Sequence, residues 1–236
     1  NSLKTCKCIV LSMVELDRLH RVALENALGV KEFLPRLVVK EVKKALEVRQ
    51  GSKHPAVLLA GIRGVGKTTL MLQLFSEDKQ SFYFSADSAL VKNESLYEIV
   101  DEARKQGFDK IFIDEVHKQQ KWVDEIKNIY DDFSVQVIAS GSSTAAIKKG
   151  SLALGRRAIE IEVSNLTFSE VIYLKLGKLF TAELDDVLDK KAAVKWLVEH
   201  AEVEKYYKEY LRTGGFPFTA SEGNTVFKLM RRMIYE

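Results

Sequence analysis

Ala56-Val57-Leu58-Leu59-Ala60-Gly61-Ile62-Arg63-Gly64-Val65-Gly66-Lys67-Thr68 is the stretch that decides the fold. Five consecutive apolar residues run into a glycine-rich turn that closes on a lysine and a hydroxyl residue. A short unbroken apolar run is what a strand buried on both faces requires. The turn from Gly61 to Thr68 fits the template G-x-x-x-x-G-K-[ST] of a phosphate-binding loop. Glycine lets the backbone wrap close around an anion, in conformations that a side chain would obstruct. The N–H groups of the loop, through Arg63, Gly64, Val65 and Gly66, and those of the helix it opens carry positive partial charge toward that anion. Lys67 is expected to reach the β- and γ-phosphates, and the Thr68 hydroxyl to ligate Mg²⁺. Thr69 is expected to meet the α-phosphate through its backbone. A chance glycine-rich turn is the competing reading, and eight positions in frame between strand and helix weigh against it.

Downstream, Ile111-Phe112-Ile113 is a second buried run, and it ends in Asp114-Glu115. The spacing from Lys67 leaves room for one strand and its helices. Two carboxylates at the carboxyl end of a strand can divide the chemistry. Asp114 would hold Mg²⁺ through water, and Glu115 would orient and polarise the attacking water. Glu115 argues for hydrolysis over transfer to an organic acceptor. Ser140-Gly141-Ser142-Ser143 follows a further strand, and Ser140 is the candidate for holding that water with Glu115, evenly weighed against a plain Ser/Gly turn. Arg156, in Gly155-Arg156-Arg157, stands where ring-forming ATPases often place an arginine that reaches a neighbour's γ-phosphate; a surface basic pair is the competing reading. His117 reads as a surface or contact histidine.

The remaining pattern supplies an α/β frame. Strands are expected at 56–60, 81–85, 110–114, 135–140 and 158–163, with helices between them at about 94–106 and 120–132. Strands alternating with helices imply right-handed crossovers and a mainly parallel five-stranded sheet covered on both faces. Before it, Ser12 and Glu15 fit a capping box, and Pro35 suits the first turn of a second helix that stops near Gly51. From about Thr167 the pattern is helical. The expected division is a helical segment over 1–51, a nucleotide-binding core over 52–165, and a helical lid over 166–236.

Composition excludes several classes. Apolar residues make up 46% of the 236 and charged residues 29%, as in an ordinary soluble domain. No apolar run reaches the ~20 residues that span a bilayer, no signal-peptide pattern opens the chain, and a cytoplasmic protein is expected. A net charge of +3 does not demand nucleic acid. The basic pairs Lys148-Lys149 and Arg231-Arg232 read as solvated surface. Cys6 and Cys8 are too few for a disulfide framework or a zinc site. The chain opens on Asn1, consistent with a fragment.

These residues carry a resemblance. Ile113-Asp114-Glu115-Val116-His117, Trp122, Ile126-Lys127 and Tyr130-Asp131 resemble the prokaryotic AAA-like ATPases abundant in archaea. The resemblance continues through Ser140 to Ser143, Gly155-Arg156 and Leu166-Thr167-Phe168-Ser169-Glu170, and ends at Gly214-Gly215-Phe216-Pro217. Ile62 and Asn165 depart from prolines usual in that family. The resemblance implies an additional-strand P-loop fold that takes ATP or ADP with Mg²⁺. It also implies a restriction-endonuclease-like domain further on, which is missing or lies past Glu236, so nuclease activity is not carried over. Adenine specificity rests on the same likeness.

Hydrolysis of ATP is thus the leading expectation, coupled to DNA or a protein partner, with assembly into homo-oligomers open. A nucleotide-gated binding module with little turnover is the alternative. A small-molecule kinase would need an acceptor pocket that no residues define.

Overall fold

The computed structural model describes residues 13–92, 94–179 and 189–217. Cys6, Cys8, Ser12 and the Arg231-Arg232 pair lie outside them. The described residues divide into two compact units, and the first draws on those within 13–32, 38–62 and 67–162.

That first unit is built on five parallel strands: β1 Ala56–Ala60, β2 Ser81–Ser85, β3 Lys110–Asp114, β4 Gln136–Gly141 and β5 Ala158–Glu162. Their order in the sheet is β2-β3-β4-β1-β5. Parallel neighbours cannot be joined by tight turns, and helices carry the crossovers: α3 Lys67–Ser76, α4 Leu96–Lys105, α5 Trp122–Asp132 and α6 Thr144–Leu154. Two helices precede them, α1 Met13–Val30 and α2 Val39–Leu46.

The inner strands are buried on both faces, which is why β1 and β3 read as apolar runs, while the edge strand β5 alternates apolar and acidic residues. Leu58, Phe82, Phe84, Ile111, Ile113, Val137 and Ala139 share one buried cluster with Ile99 of α4, Ile126 and Ile129 of α5 and Ile147 of α6. The alternate residues point the other way, where Phe75 of α3 meets Tyr83 and Phe112 with ring centroids 5.9 and 6.2 Å apart. Truncating the fully buried Phe112 to alanine would cost about 3–5 kcal/mol, against a typical net stability of ~5–15 kcal/mol. The strand that presents Asp114 is therefore firmly held.

The expected five-stranded parallel sheet is the one found, with three local departures in the helices. Pro35 lies in an irregular segment ahead of α2, not in its first turn. Helical bonding begins at the Val38 carbonyl, which accepts from the Glu41 and Val42 amides, so Pro35 falls three residues ahead of it, where the Leu37 amide, with no helical acceptor, donates to the Glu170 carboxylate at 3.0 Å. The helix α2 also stops at Leu46, before Gly51, which takes φ 66° in a turn closed by pairing of Gln50 with Lys53. Helix α6 has no counterpart in the sequence reading. Gly150 in its interior masks the pattern, and a Cβ there would land on the Trp122 ring.

The second unit draws on residues 33–37, 63–66 and the described residues from 163 onward. Its helices are α7 Phe168–Leu176, α8 Lys190–Glu199 and α9 Ala201–Thr213. Thr167 caps α7 by accepting from the Glu170 amide at 3.2 Å, and Gly177 ends it with φ 68°. Phe168 meets Tyr207 and Tyr210 of α9, and Lys175 pairs with Glu209 at 2.9 Å. The Leu166 amide donates to the Gly215 carbonyl at 2.6 Å. A Cβ on Gly215 would fall on the Leu166 carbonyl, so only glycine fits there. Among the described residues no helix is long and apolar enough to cross a membrane.

Candidate functional site

The carboxyl edge of the first unit's sheet gathers most of the expected residues. Gly61 follows β1, Asp114 closes β3, and Ser140 lies on β4 between them, opposite Leu59 of β1. Lys67 and Thr68 open α3. Lys67 is buried, and its Nζ donates to the carbonyls of Gly61 at 2.6 Å and Ile62 at 3.0 Å. Burial lowers its pKa, and the nearby Glu115 and Asp114 charges work against that shift.

Asp114 is the hub. Its Oδ2 accepts from the Thr68 hydroxyl at 2.7 Å and from the Tyr83 hydroxyl at 2.9 Å. Its Oδ1 accepts from the Ser140 hydroxyl and from the Glu115 amide. Burying a carboxylate is costly unless its oxygens are bonded, and four donors meet that need. Tyr83 is held neutral: burial raises its pKa above the usual phenolic range, and the Asp114 charge and hydrogen bond push the same way.

Glu115 is the one non-glycine residue with positive φ among the described residues, at φ 53° and ψ 40°. That left-handed turn swings its side chain out of the strand's alternation, a costly conformation for a residue with a Cβ. Its Oε2 accepts from the Ser142 amide at 3.2 Å and the Ser142 hydroxyl at 2.9 Å, and His117 Nδ1 lies 3.3 Å away. That last contact lacks hydrogen-bond alignment, since His117 Nδ1 has no bonded partner among the described residues. Burial lowers the His117 pKa, with Glu115 opposing, which favours the neutral ring. Gly141 makes room: a Cβ there would come within 2.6 Å of Ile147 Cδ1 and 2.9 Å of His117 Nδ1.

Ser140 is therefore engaged with Asp114, and the serine that touches the Glu115 carboxylate is Ser142. Arg156 is not with the others. It precedes β5, whose first residue Ala158 pairs with Ala56, the first of β1. Parallel strands put it at the amino edge of the sheet, a strand length from Asp114. Its carbonyl accepts from Gln50 Nε2 at 2.7 Å, while Arg157 is tied to Asp131 at 2.9 Å.

In the second unit, the loop residues Gly64 and Gly66 both have positive φ, 86° and 90°, the backbone freedom the template requires. Arg36 donates to the Val65 carbonyl at 2.6 Å and is paired with Glu170.

A model of the AAA domain matches residues 53–172, just over half of the chain. The chain belongs to the AAA domain family. The uncharacterized protein MJ1637 of Methanocaldococcus jannaschii is 30% identical over 87% of this AAA protein, which spans 48% of that relative. The Holliday junction branch migration complex subunit RuvB of Thermotoga maritima is 33% identical over 47% of this chain and 34% of its own length. The chain thus spans about half the length of the first relative and a third of the second. A solved structure of the Hsp104–casein complex of S. cerevisiae superposes with a TM-score of 0.51, at 18% identity, over 84% of this chain and 38% of that one. That likeness concerns the fold. This AAA domain is accordingly a nucleotide-binding P-loop protein of the ATPase class.

Sequence reasoning missed Tyr83, Ser142 and the Arg36–Glu170 pair. A signal existed for Tyr83. A tyrosine inside a strand buried on both faces needs a partner for its hydroxyl, and the neighbouring strand ends in Asp114. None existed for Arg36, whose partner is 134 residues away.

Proposed function

We propose that this chain binds ATP with Mg²⁺ and hydrolyses its terminal phosphoanhydride bond. The observation that carries the reading is the 2.7 Å bond between the Thr68 hydroxyl and the Asp114 carboxylate, with Glu115 next in the chain. Thr68 and Asp114 offer hard oxygen donors from two adjoining elements, the donor chemistry Mg²⁺ prefers. They fit as the residues that hold the ion, one directly and one through water. Bound there, Mg²⁺ would offset phosphate charge. Lys67 exchanges the carbonyls of Gly61 and Ile62 for phosphate oxygens. Glu115 orients and polarises the water, with Ser140 keeping Asp114 and the Glu115 amide in place. Arg156 serves a neighbouring copy, since its own sheet separates it from Asp114. DNA or a protein partner is the expected object of the work, in line with the likeness to a branch-migration subunit.

A second reading has its own support. The Glu115 carboxylate is occupied by Ser142 and flanked by His117, which suits a nucleotide-gated module that turns over slowly until a partner frees it. Phosphate release from ATP separates the two. A working ATPase shows Mg²⁺-dependent release that Lys67→Ala abolishes along with ATP binding. Tight ATP binding with no release, and a protease digestion pattern that changes with nucleotide, would instead favour the gated module. Binding retained by Lys67→Ala would contradict the phosphate-loop assignment in either form.

A further inference from the structure

The Arg36 guanidinium lies behind the phosphate loop, buried, with four donated hydrogen bonds. Two go to the Glu170 carboxylate, from Nε at 3.0 Å and from Nη2 at 2.8 Å. The other two leave Nη1 for the Val65 carbonyl at 2.6 Å and the Ser164 carbonyl at 2.9 Å. A paired fork of this kind fixes the plane of the guanidinium and not only its position. Glu170 is itself fixed, because its Oε1 also accepts from the Leu37 amide at 3.0 Å and its own amide is capped by Thr167. The Nη1 donors are therefore aimed by the carboxylate.

The target of that aim matters because a trans peptide is planar. The carbonyl of Val65 and the N–H of Gly66 belong to one plane and point in opposite directions. Holding the carbonyl against Arg36 turns the Gly66 N–H away from Arg36. Gly66 is a loop position whose amide the sequence template assigns to phosphate. With φ at 90° Gly66 has no steric preference that would choose this orientation by itself. The same residue is backed by Arg36 Cδ and Pro217 Cγ, which would lie 3.6 and 3.4 Å from a Cβ built on it.

We infer that Arg36, oriented by Glu170, is a positioning residue for nucleotide phosphate: it sets the direction of the Gly66 amide. The inference rests on the phosphate-loop reading and adds a residue pair outside the loop. It gives buried, charged Arg36 and Glu170 a task that a pair of apolar residues would not perform.

The test is calorimetric titration of Mg²⁺ and ADP into wild type, Arg36→Met, Arg36→Lys and Glu170→Gln, at a temperature where circular dichroism shows each to be folded. Losing a charge-assisted bond to the loop is expected to weaken ADP binding by about tenfold to a hundredfold in Arg36→Met. Glu170→Gln falls between it and wild type, because the guanidinium remains but loses its charged partner. A purely structural role would lower the melting temperature and leave the affinity of the folded protein unchanged. Folded Arg36→Met binding ADP as tightly as wild type overturns the inference. Should that variant not fold, Arg36→Lys decides in the same way, since lysine keeps the charge but cannot serve the carboxylate and both carbonyls. Absence of ADP binding by wild type would overturn the phosphate-loop reading itself, whatever the variants do.

Discussion

Asp114 and Arg156 lie at opposite edges of one parallel sheet, and they are furnished in opposite ways. Asp114 is buried, with both oxygens occupied by groups from four positions: Thr68, Tyr83, Ser140 and Glu115. Arg156 is exposed on a three-residue turn, and among the described residues its backbone alone is tied down, by Gln50. Its neighbour Arg157 shows what an engaged arginine looks like here: bonded to Asp131 and lying over Tyr130. A group fixed by internal bonds has its geometry set within the chain. A long cation left to solvent beside a paired one acquires a geometry only when something else arrives.

The comparison can be broken at its exposed end with the largest effect. Arg156→Ala is expected to lower ATP turnover at least about a hundredfold while leaving ATP affinity unchanged, in keeping with the ~10³–10⁵ that a transition-state arginine can supply. Mixing that variant with Lys67→Ala, each inactive alone, should restore turnover, because one copy contributes an intact phosphate loop and the other an intact arginine. A mixture no more active than its parts would place Arg156 outside the chemistry. At the buried end, Tyr83→Phe removes one donor from Asp114 Oδ2 without changing shape. It is expected to cost about 1–3 kcal/mol of stability, read by denaturant unfolding, and to lower turnover about tenfold or less if Asp114 keeps its other donors.

The smallest effect concerns a region away from both ends. His20 of α1 sits among Phe75, Phe82 and Phe108, with ring centroids at 5.8, 5.9 and 5.0 Å. Among the described residues its buried Nδ1 has no partner. Burial lowers its pKa below 6.5, and Asp17 opposes only part of that. The unfolded chain then binds a proton that the folded chain refuses, so stability falls as pH drops through the unfolded value toward the folded one. His20→Phe should narrow the difference in melting temperature between neutral and mildly acidic buffer. An unchanged difference would mean that His20 does not titrate on unfolding.

How much of this was legible in the sequence follows the same divide between local and non-local causes. The strands were legible because a doubly buried strand is apolar through its middle: Ala56–Ala60, Ser81–Ser85 and Lys110–Asp114 stand where the pattern put them. The phosphate loop was legible because its demands on glycine, lysine and threonine are contiguous. Helix α6 was not, since Gly150 serves the Trp122 ring and not helix propensity. Nor was the setting of Pro35, since the bond from Leu37 to Glu170 in that segment spans 133 residues. At the site, the sequence named Ser140 as the candidate for holding the attacking water with Glu115. Ser140 bonds Asp114, and the Glu115 carboxylate turns to Ser142, a contact that depends on the left-handed backbone at Glu115; no local signal reports a positive φ at a glutamate.

The central claim is that Glu115 makes this a hydrolase and not only a nucleotide binder. The most direct measurement is ATP affinity and Mg²⁺-dependent phosphate release for wild type beside Glu115→Gln, which keeps the side chain's size and can still bond Ser142. The account predicts equal affinity and a turnover lower by about 10²–10⁴ in the variant, the contribution of a positioned general base. Equal turnover in the two proteins would contradict it.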